Sequence, residues 1–183
     1  MAPLQKLKAV REGNGLVVWI TGLAGSGKTT IGRVLCGRIL EKNKSLVYLD
    51  GDGLRDVLGH FGYDKSSRID MAIRRANLAR YLSSQGIMVV VTTISMFSEV
   101  YEKNSLLFPH FMQVYVRVSM QELIARDQKG LYSGALSGRV SQVVGMDIDY
   151  DEPVLGAADI LIDNENLDGL DSKVGSILAR IDY

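Results

Sequence analysis

The chain has 183 residues, which suits one domain, and its composition of 46% hydrophobic and 23% charged residues is that of a globular protein rather than a disordered one. Lys plus Arg and Asp plus Glu number 21 each, so no overall positive field exists to attract nucleic acid or an anionic membrane. We therefore expect neither as a partner, and any bound anion must be held locally.

Cysteine content and hydropathy bear on the cellular setting. The single cysteine, Cys36, cannot pair within the chain, which favours a reducing environment. No apolar run approaches the roughly 18 residues needed to span a bilayer, and the first residues lack the apolar run of a signal peptide. We expect a cytoplasmic protein in which residues 1–14 form an N-terminal extension and residues 15–183 form one domain.

Short apolar runs rich in Val and Ile predict five buried strands. Longer segments with helical periodicity lie between them, such as the stripe Ile69, Ile73, Ala76, Ala79 and Leu82. This alternation predicts an α/β fold of three layers, in which helices flank a parallel sheet of about five strands. The predicted strands span 16–21, 46–49, 87–92, 112–118 and 160–162.

A glycine-rich segment joins the first predicted strand to a helical segment. It reads GLAGSGKT and satisfies the phosphate-binding pattern GxxxxGK[ST] in the strand-to-helix context that this pattern requires. Lys28 would reach the β- and γ-phosphates of ATP, and the Thr29 hydroxyl would coordinate Mg²⁺. The motif predicts a P-loop NTPase fold that uses ATP and Mg²⁺. Nucleotide contacts are expected from Gly22, Leu23, Ala24, Gly25, Ser26, Gly27, Lys28, Thr29 and Thr30.

Two carboxylates follow the second predicted strand. The sequence YLDGDGLRD places Asp50 and Asp52 at its carboxyl end, on the same side of the sheet as the P-loop. A carboxylate there can accept the proton of an attacking hydroxyl or bind Mg²⁺ through water, so we expect Asp52 to be catalytic and Asp50 to contact substrate and metal. The alternative is that both merely cap the next helix, since Asp is a favoured N-cap residue.

Two segments, 59–68 and 128–153, show no clear period. Long irregular segments in a compact domain are usually binding loops or lids. Because loops at the carboxyl ends of parallel strands supply the chemistry of open α/β sheets, we predict that residues 128–153 form a lid over the site.

Six motifs in order resemble the adenylylsulfate kinase family. GLAGSGKTT is similar to the P-loop of that family, LDGDGLR to its second-strand motif, and GYDKSSR to its acceptor-side turn. IRRANLARYLSSQG resembles the helix that follows, ISMF stands in place of ISPY, and RDQKGLY resembles the lid motif RDPKGLY. The resemblance covers nearly the whole chain and implies transfer of the ATP γ-phosphate to the ribose 3′-hydroxyl of adenylyl sulfate. It also implies a homodimer.

Carried over residue by residue, the resemblance implies roles on the acceptor side. Asp52 would be the general base, and Arg55 and Arg68 would hold charged groups of the acceptor, for which an arginine fork is suited. Tyr63 stands where the family has a Phe that stacks on the acceptor base. The alternatives are that Arg68 solvates a helix start and that Tyr63 is an ordinary half-buried aromatic.

The resemblance also assigns the later motifs. Ile94 and Ser95 begin the ISMF segment, and Ser95 matches a Ser that forms a phosphoenzyme in some members; its alternative role is to satisfy backbone groups. Lys129, Gly130, Leu131 and Tyr132 match the lid over the nucleotides. There Lys129 could neutralise charge that develops on the transferred phosphate.

Several acceptor-side positions depart from the family pattern together. Ser133 and Gly134 replace two lysines of KGLYKKA, Ala72 replaces the Asn of ENIRR, and ISMFS lacks the Pro and Arg of ISPYR. Val143 stands where the second aromatic of the base sandwich is expected, a loss worth about 1 to 3 kcal/mol of stacking. These changes resemble a branch that contains cytidine diphosphoramidate kinases. Adenylyl sulfate is the first expectation for the acceptor, and a cytidine nucleotide such as cytidine diphosphoramidate is the alternative.

Two other classes of function remain open at this point. A nucleotide-dependent regulator could keep the fold without phosphate transfer, although the complete set of catalytic residue types argues against it. A kinase of a sugar, sugar acid or shikimate-like metabolite would share the P-loop architecture, but the DGDGLR and KGLY motifs disfavour it.

Overall fold

The computed structural model of the protein describes residues 13–42, 45–59 and 62–181, so the predicted extension 1–14 lies almost wholly outside it. The strands are β1 (Val17–Thr21), β2 (Leu46–Asp50), β3 (Met88–Thr93), β4 (Phe111–Arg117) and β5 (Ile160–Asp163). They are all parallel and lie in the order β2-β3-β1-β4-β5. The carboxyl ends of all five strands therefore lie at one edge of the sheet, where the loops that follow them meet.

Helices cover both faces of this sheet, which confirms the predicted three-layer α/β fold. No helix in the described part of the chain is long and apolar enough to cross a membrane. The helices are α1 (Lys28–Leu40), α2 (Gly51–Leu58), α3 (Lys65–Ser83), α4 (Ser98–Leu107), α5 (Met120–Arg126), α6 (Leu131–Leu136) and α7 (Leu170–Leu178), with a 3₁₀ turn at Gln128–Gly130.

Successive side chains along each strand point to opposite faces of the sheet, so the core consists of two clusters. On one face, Val18, Ile20 and Val90 pack with residues of α1 and α7, such as Ile31 and Val174. On the other face, their sequence neighbours pack with α3, α4 and the segment that follows α5. Every residue of β1 is buried because this strand is central and covered on both sides.

The prediction of an irregular segment at 59–68 is wrong for the second half of that segment. Helix α3 begins at Lys65, and the Asp64 side chain caps it by accepting a hydrogen bond from the Ser67 backbone N–H at 3.0 Å. Hydrogen bonds from Ser66 and Ser67 hold the pKa of the Asp64 carboxyl well below its usual range. The turn is therefore short, and it delivers Arg68 from the first turn of a helix.

The predicted lid is also more regular than expected, since 128–153 contains the 3₁₀ turn and α6. In α3, Ala76 and Ala79 are buried as the periodicity predicts, but the charged Arg75 shares their face and is only 3% exposed. Its neighbour Arg74 lies on the exposed side of the helix and pairs with Asp70 at 2.8 Å.

Candidate active site

The loop between β1 and α1 wraps around the position that the sequence assigns to phosphate. Gly27 closes the loop in a left-handed conformation, with φ of 96°, and a Cβ there would lie 2.5 Å from Asn164 Nδ2. Glycine is therefore required at this position for both conformation and space. The helix that follows begins at Lys28 and directs its first backbone N–H groups toward the loop.

Lys28 is folded into this loop. Its Nζ donates a hydrogen bond to the Leu23 carbonyl at 2.6 Å, and only 8% of the residue is exposed. Burial lowers the pKa of the ammonium from 10.5 to about 8, and the nearby carboxylates of Asp52 and Asp50 oppose part of that shift. A cation with so little water around it is available to bind an anion such as a phosphate.

Two residues that the sequence reasoning missed brace the P-loop from outside. Asn164, just after β5, donates from Nδ2 to the Ser26 carbonyl at 2.7 Å. Arg126, at the end of α5, donates to the Asn164 carbonyl at 2.7 Å and to the Gly25 carbonyl at 3.4 Å. Arg126 is the first residue of the RDQKGLY motif, and that motif could have pointed to it. For Asn164 the sequence offered no signal other than its position at the end of a predicted strand.

Asp50 and Asp52 flank the start of α2, next to the P-loop. Asp50 occupies the N-cap position of α2, but its side chain makes no capping hydrogen bond. Instead its Oδ1 accepts a long hydrogen bond of 3.4 Å from the Thr92 hydroxyl, and its Oδ2 lies 3.8 Å from Arg33. The capping alternative therefore fails for Asp50. Asp52 stands in the first turn of α2, where its side chain is exposed to the cavity described below.

The residues predicted to hold the acceptor cluster around one aromatic ring. The Arg55 guanidinium lies 4.3 Å from the centroid of the Tyr63 ring, and that of Arg68 lies 5.5 Å from it. Arg68 also donates from Nε to the Tyr63 carbonyl at 2.6 Å and from Nη2 to the Gln142 carbonyl at 2.7 Å. It thereby ties the turn before α3 to the middle of the predicted lid.

The near end of the predicted lid is tied to the P-loop. Tyr132, whose side chain is buried, donates its hydroxyl proton to the Ala24 carbonyl at 2.8 Å. Asp127 accepts hydrogen bonds from the backbone N–H groups of Tyr132 and Ser133 at 2.9 and 3.0 Å. Between these anchors Lys129 has a left-handed backbone, with φ of 60°, and lines the cavity. The sequence reasoning gave no anchoring role to Tyr132 or Asp127.

A cavity of about 420 Å³ brings most of the predicted site residues together. Residues that the sequence did not assign also line it, among them Gly51, Arg75, Thr92 and Thr93. The predicted residues in its wall are Ala24, Gly25, Lys28, Thr29, Asp50, Asp52, Arg55, Tyr63, Arg68, Ile94, Ser95, Lys129 and Leu131.

The remaining predicted residues do not line this cavity. Val143 is buried in the core and lines a small adjoining pocket of about 40 Å³, and its backbone N–H donates a hydrogen bond to Asp147 Oδ1 at 2.5 Å. Thr30 is exposed on α1, and Leu23 points into the core. The other four lie in the P-loop or the lid but outside the cavity wall, namely Gly22, Ser26, Gly27 and Gly130.

The donor set suits a magnesium ion that is held largely by phosphate oxygens and water. The Thr29 hydroxyl and the carboxylates of Asp50 and Asp52 all line the cavity. No group of three or more His, Cys, Asp or Glu residues in the described ranges could hold a metal by itself. Mg²⁺ typically takes one or two protein ligands and completes its shell with waters and substrate phosphates, so these residues fit it.

A parallel sheet with a P-loop after its first strand, a buried lysine in that loop and a carboxylate beside it defines a P-loop phosphotransferase. Comparison with known proteins identifies the family. The model of the adenylylsulphate kinase family matches residues 14–163, and the chain belongs to this family. It is an ATP-dependent nucleotide kinase, and the family uses ATP with Mg²⁺.

Individual relatives fall into two groups. A cytidine diphosphoramidate kinase from Campylobacter jejuni is 48% identical over 170 residues, which cover 93% of this chain and 98% of the relative. An adenylyl-sulfate kinase from Chloroflexus aurantiacus is 38% identical over 143 residues, or 77% of this chain and 76% of the relative. The structure of the Mycobacterium tuberculosis APS kinase in complex with AMPPNP and APS superposes with a TM-score of 0.84 at 27% identity, over 92% of this chain and 98% of that one.

The low pKa of Lys28 predicts that MgATP binding takes up a proton in alkaline solution. Above a pKa of about 8 the free protein loses the Lys28 proton, whereas bound phosphates restore it. We expect the Kd for MgATP to rise about tenfold per pH unit from pH 8 to pH 10, with close to one proton taken up at pH 9. Titration calorimetry at pH 9 in two buffers of different ionisation enthalpy measures this number. Less than about 0.2 proton would contradict the assignment.

Proposed function

We propose that this kinase transfers the γ-phosphate of ATP to the ribose 3′-hydroxyl of cytidine diphosphoramidate. The observation that carries this choice is the 48% identity with a kinase of that name over nearly the full length of both chains. The adenylyl-sulfate kinase from C. aurantiacus is 38% identical over a shorter alignment. Both acceptors call for the same transfer, so the proposal concerns which nucleotide the cavity accepts.

The wall of the cavity supports a small base. Tyr63 is the only aromatic residue among the described residues that line it, and its ring already faces the Arg55 guanidinium. Val143, at the position expected for a second aromatic, lies outside the wall. A purine would gain little stacking here, whereas a pyrimidine presents less ring surface to cover. The cations Arg55 and Arg68 supply charge for the pyrophosphate-like part of the acceptor.

In the proposed reaction Asp52 accepts the proton of the ribose 3′-hydroxyl as its oxygen forms a bond to the γ-phosphorus. The bond from that phosphorus to the bridging β-phosphate oxygen breaks, and ADP leaves. Lys28 and Lys129 stabilise the negative charge that develops on the phosphate oxygens. Thr29 and Asp50 would hold Mg²⁺, which would offset charge on the phosphates. Ile94, Ser95 and the lid residues Gly130 and Leu131 are proposed to enclose the acceptor and exclude water.

Adenylyl sulfate is the second candidate, favoured by the family model and by the adenylyl-sulfate kinases among the relatives. The homodimer implied by the family resemblance and the cytoplasmic location expected from the sequence stay predictions.

Steady-state kinetics with both acceptors decides between the candidates. We expect kcat/KM for cytidine diphosphoramidate to exceed that for adenylyl sulfate at least tenfold, about 1.4 kcal/mol of discrimination. CDP and gluconate serve as controls for the phosphoramidate group and for a sugar-acid kinase, and mass spectrometry should show one added phosphate. A preference for adenylyl sulfate would contradict the proposed acceptor and support the second candidate. Phosphorylation of gluconate alone would contradict both candidates.

A further inference from the structure

Arg75 is a buried charge that lies within the IRRANLARYLSSQG motif but has no role in the proposed reaction. It lies on the inward face of α3 between Ala72 and Ala79, and only 3% of the residue is exposed. Its guanidinium reaches the wall of the cavity, and its Nε has no hydrogen-bond partner. Arginine is seldom buried to this degree unless its charge is compensated and used.

The two terminal nitrogens of Arg75 connect two strand ends. Nη1 donates to the Thr93 hydroxyl at 2.6 Å, at the last residue of β3. Nη2 donates to the Gly51 carbonyl at 3.2 Å, at the first residue of α2 and directly before Asp52. The contact between these elements is close, since a Cβ on Gly51 would lie 2.8 Å from the Thr92 carbonyl oxygen.

Stability gives no reason to place a charge here. Burial lowers the pKa of Arg75 from 12.5 to about 10, and the positive charge of Arg55 adds to this effect, while the carboxylates of Asp52 and Asp50 oppose it. Taking a charge out of water costs free energy, so a buried arginine is weak evidence for a stabilising role. The two hydrogen bonds and the nearby carboxylates therefore indicate a role at the cavity rather than in folding.

We propose that Arg75 is a positioning residue that clamps the first turn of α2 to the end of β3 and so fixes Asp52 in the cavity. The clamp acts on the backbone carbonyl that immediately precedes Asp52, so it controls the direction of the carboxylate without contacting the acceptor. This inference rests on the role proposed for Asp52. A displacement of about 1 Å at a reacting group can cost 10²-fold in rate, so the expected consequence is in kcat.

The first test compares the same substitution at adjacent positions of α3. Arg75→Met removes the clamp and keeps most of the side-chain length, whereas Arg74→Met changes an exposed arginine that pairs with Asp70. We expect kcat to fall about 30- to 100-fold in Arg75→Met with KM for either substrate changed less than threefold. Arg74→Met should keep both constants within about twofold. A rise in KM at unchanged kcat would make Arg75 an acceptor-binding residue and overturn the proposal.

A second pair of variants tests the clamp even if Arg75→Met fails to fold. Thr93→Val removes the other end of the clamp while leaving the charge in place, and we expect kcat to fall about tenfold. In Arg75→Ala, low-millimolar guanidinium should restore part of kcat by filling the space that the side chain left, which a purely structural role would not produce. Unchanged kcat in Thr93→Val, together with no rescue by guanidinium, would contradict the clamp.

Hydrogen–deuterium exchange separates failure of the clamp from failure of the proposed function, because it needs no acceptor. Peptides that cover the start of α2 should exchange at least about tenfold faster in Arg75→Met than in wild type, and Arg74→Met should match wild type. If exchange is unchanged, the clamp is wrong whatever the acceptor proves to be. If exchange rises but wild type phosphorylates neither nucleotide, the clamp stands and the proposed acceptor fails.

Discussion

Replacing Asp52 with Asn should lower kcat for phosphate transfer by about 10³-fold, within the range for loss of a general base. The amide keeps the size of the side chain and its place in the first turn of α2, but it cannot accept the proton of the attacking hydroxyl. Because Asp52 is proposed to act on the acceptor hydroxyl rather than to bind ATP, we expect the Kd for MgATP to change less than threefold. Initial rates of ADP release and a separate ATP titration measure the two effects.

Asp56→Asn is the matched control for Asp52→Asn. Asp56 lies one turn further along α2, is exposed, and does not line the cavity. The same loss of one negative charge from the same helix should leave kcat within about twofold of wild type. If Asp52→Asn retains more than about a tenth of wild-type kcat, proton acceptance by Asp52 is not needed, and Asp50 becomes the next candidate for the base.

The sequence predicted where the P-loop and the two carboxylates lie because local chain geometry determines their placement. A buried strand, eight residues of GxxxxGKT and a helix leave the loop few conformations, and the carboxyl end of β2 brings Asp50 and Asp52 to the same edge of the sheet. The prediction of an adenylylsulfate kinase family member rested on these local motifs and is confirmed.

The contacts that brace the site could not be predicted in the same way. Tyr132 meets Ala24 across 108 residues of sequence, and Asn164 meets Ser26 across 138. Neither pair follows from periodicity or from a motif that one segment contains. Arg75 was missed for another reason: a helical arginine is expected at the surface, and only the fold shows that it shares the inward face of α3 with alanines.

Replacing Lys28 with Met should abolish transfer while making the fold more stable. The ammonium is desolvated in the folded protein, and lowering its pKa from 10.5 to about 8 corresponds to roughly 3 kcal/mol that disfavours folding below pH 8. Methionine removes that charge at similar length, so we expect Tm at pH 7 to rise by at least about 3 °C despite the lost hydrogen bond to the Leu23 carbonyl. We expect kcat to fall about 10³-fold or more, because the cation held inside the P-loop is lost and Lys129 alone does not replace it.

The pH dependence of stability gives the same assignment an independent check. Since the folded-state pKa of Lys28 is lowered, the wild-type protein gains stability as pH rises from about 8 toward 10.5, where only the unfolded chain still holds the proton. Lys28→Met should lack this gain, so the difference in Tm between the two proteins should shrink across that range. Lys103→Met, at an exposed position on α4, should match wild type in both Tm and kcat. A Lys28→Met protein that is less stable than wild type at pH 7 would mean that the hydrogen bond to Leu23 outweighs the cost of burying the charge, and the P-loop would then be built for stability as well as for phosphate.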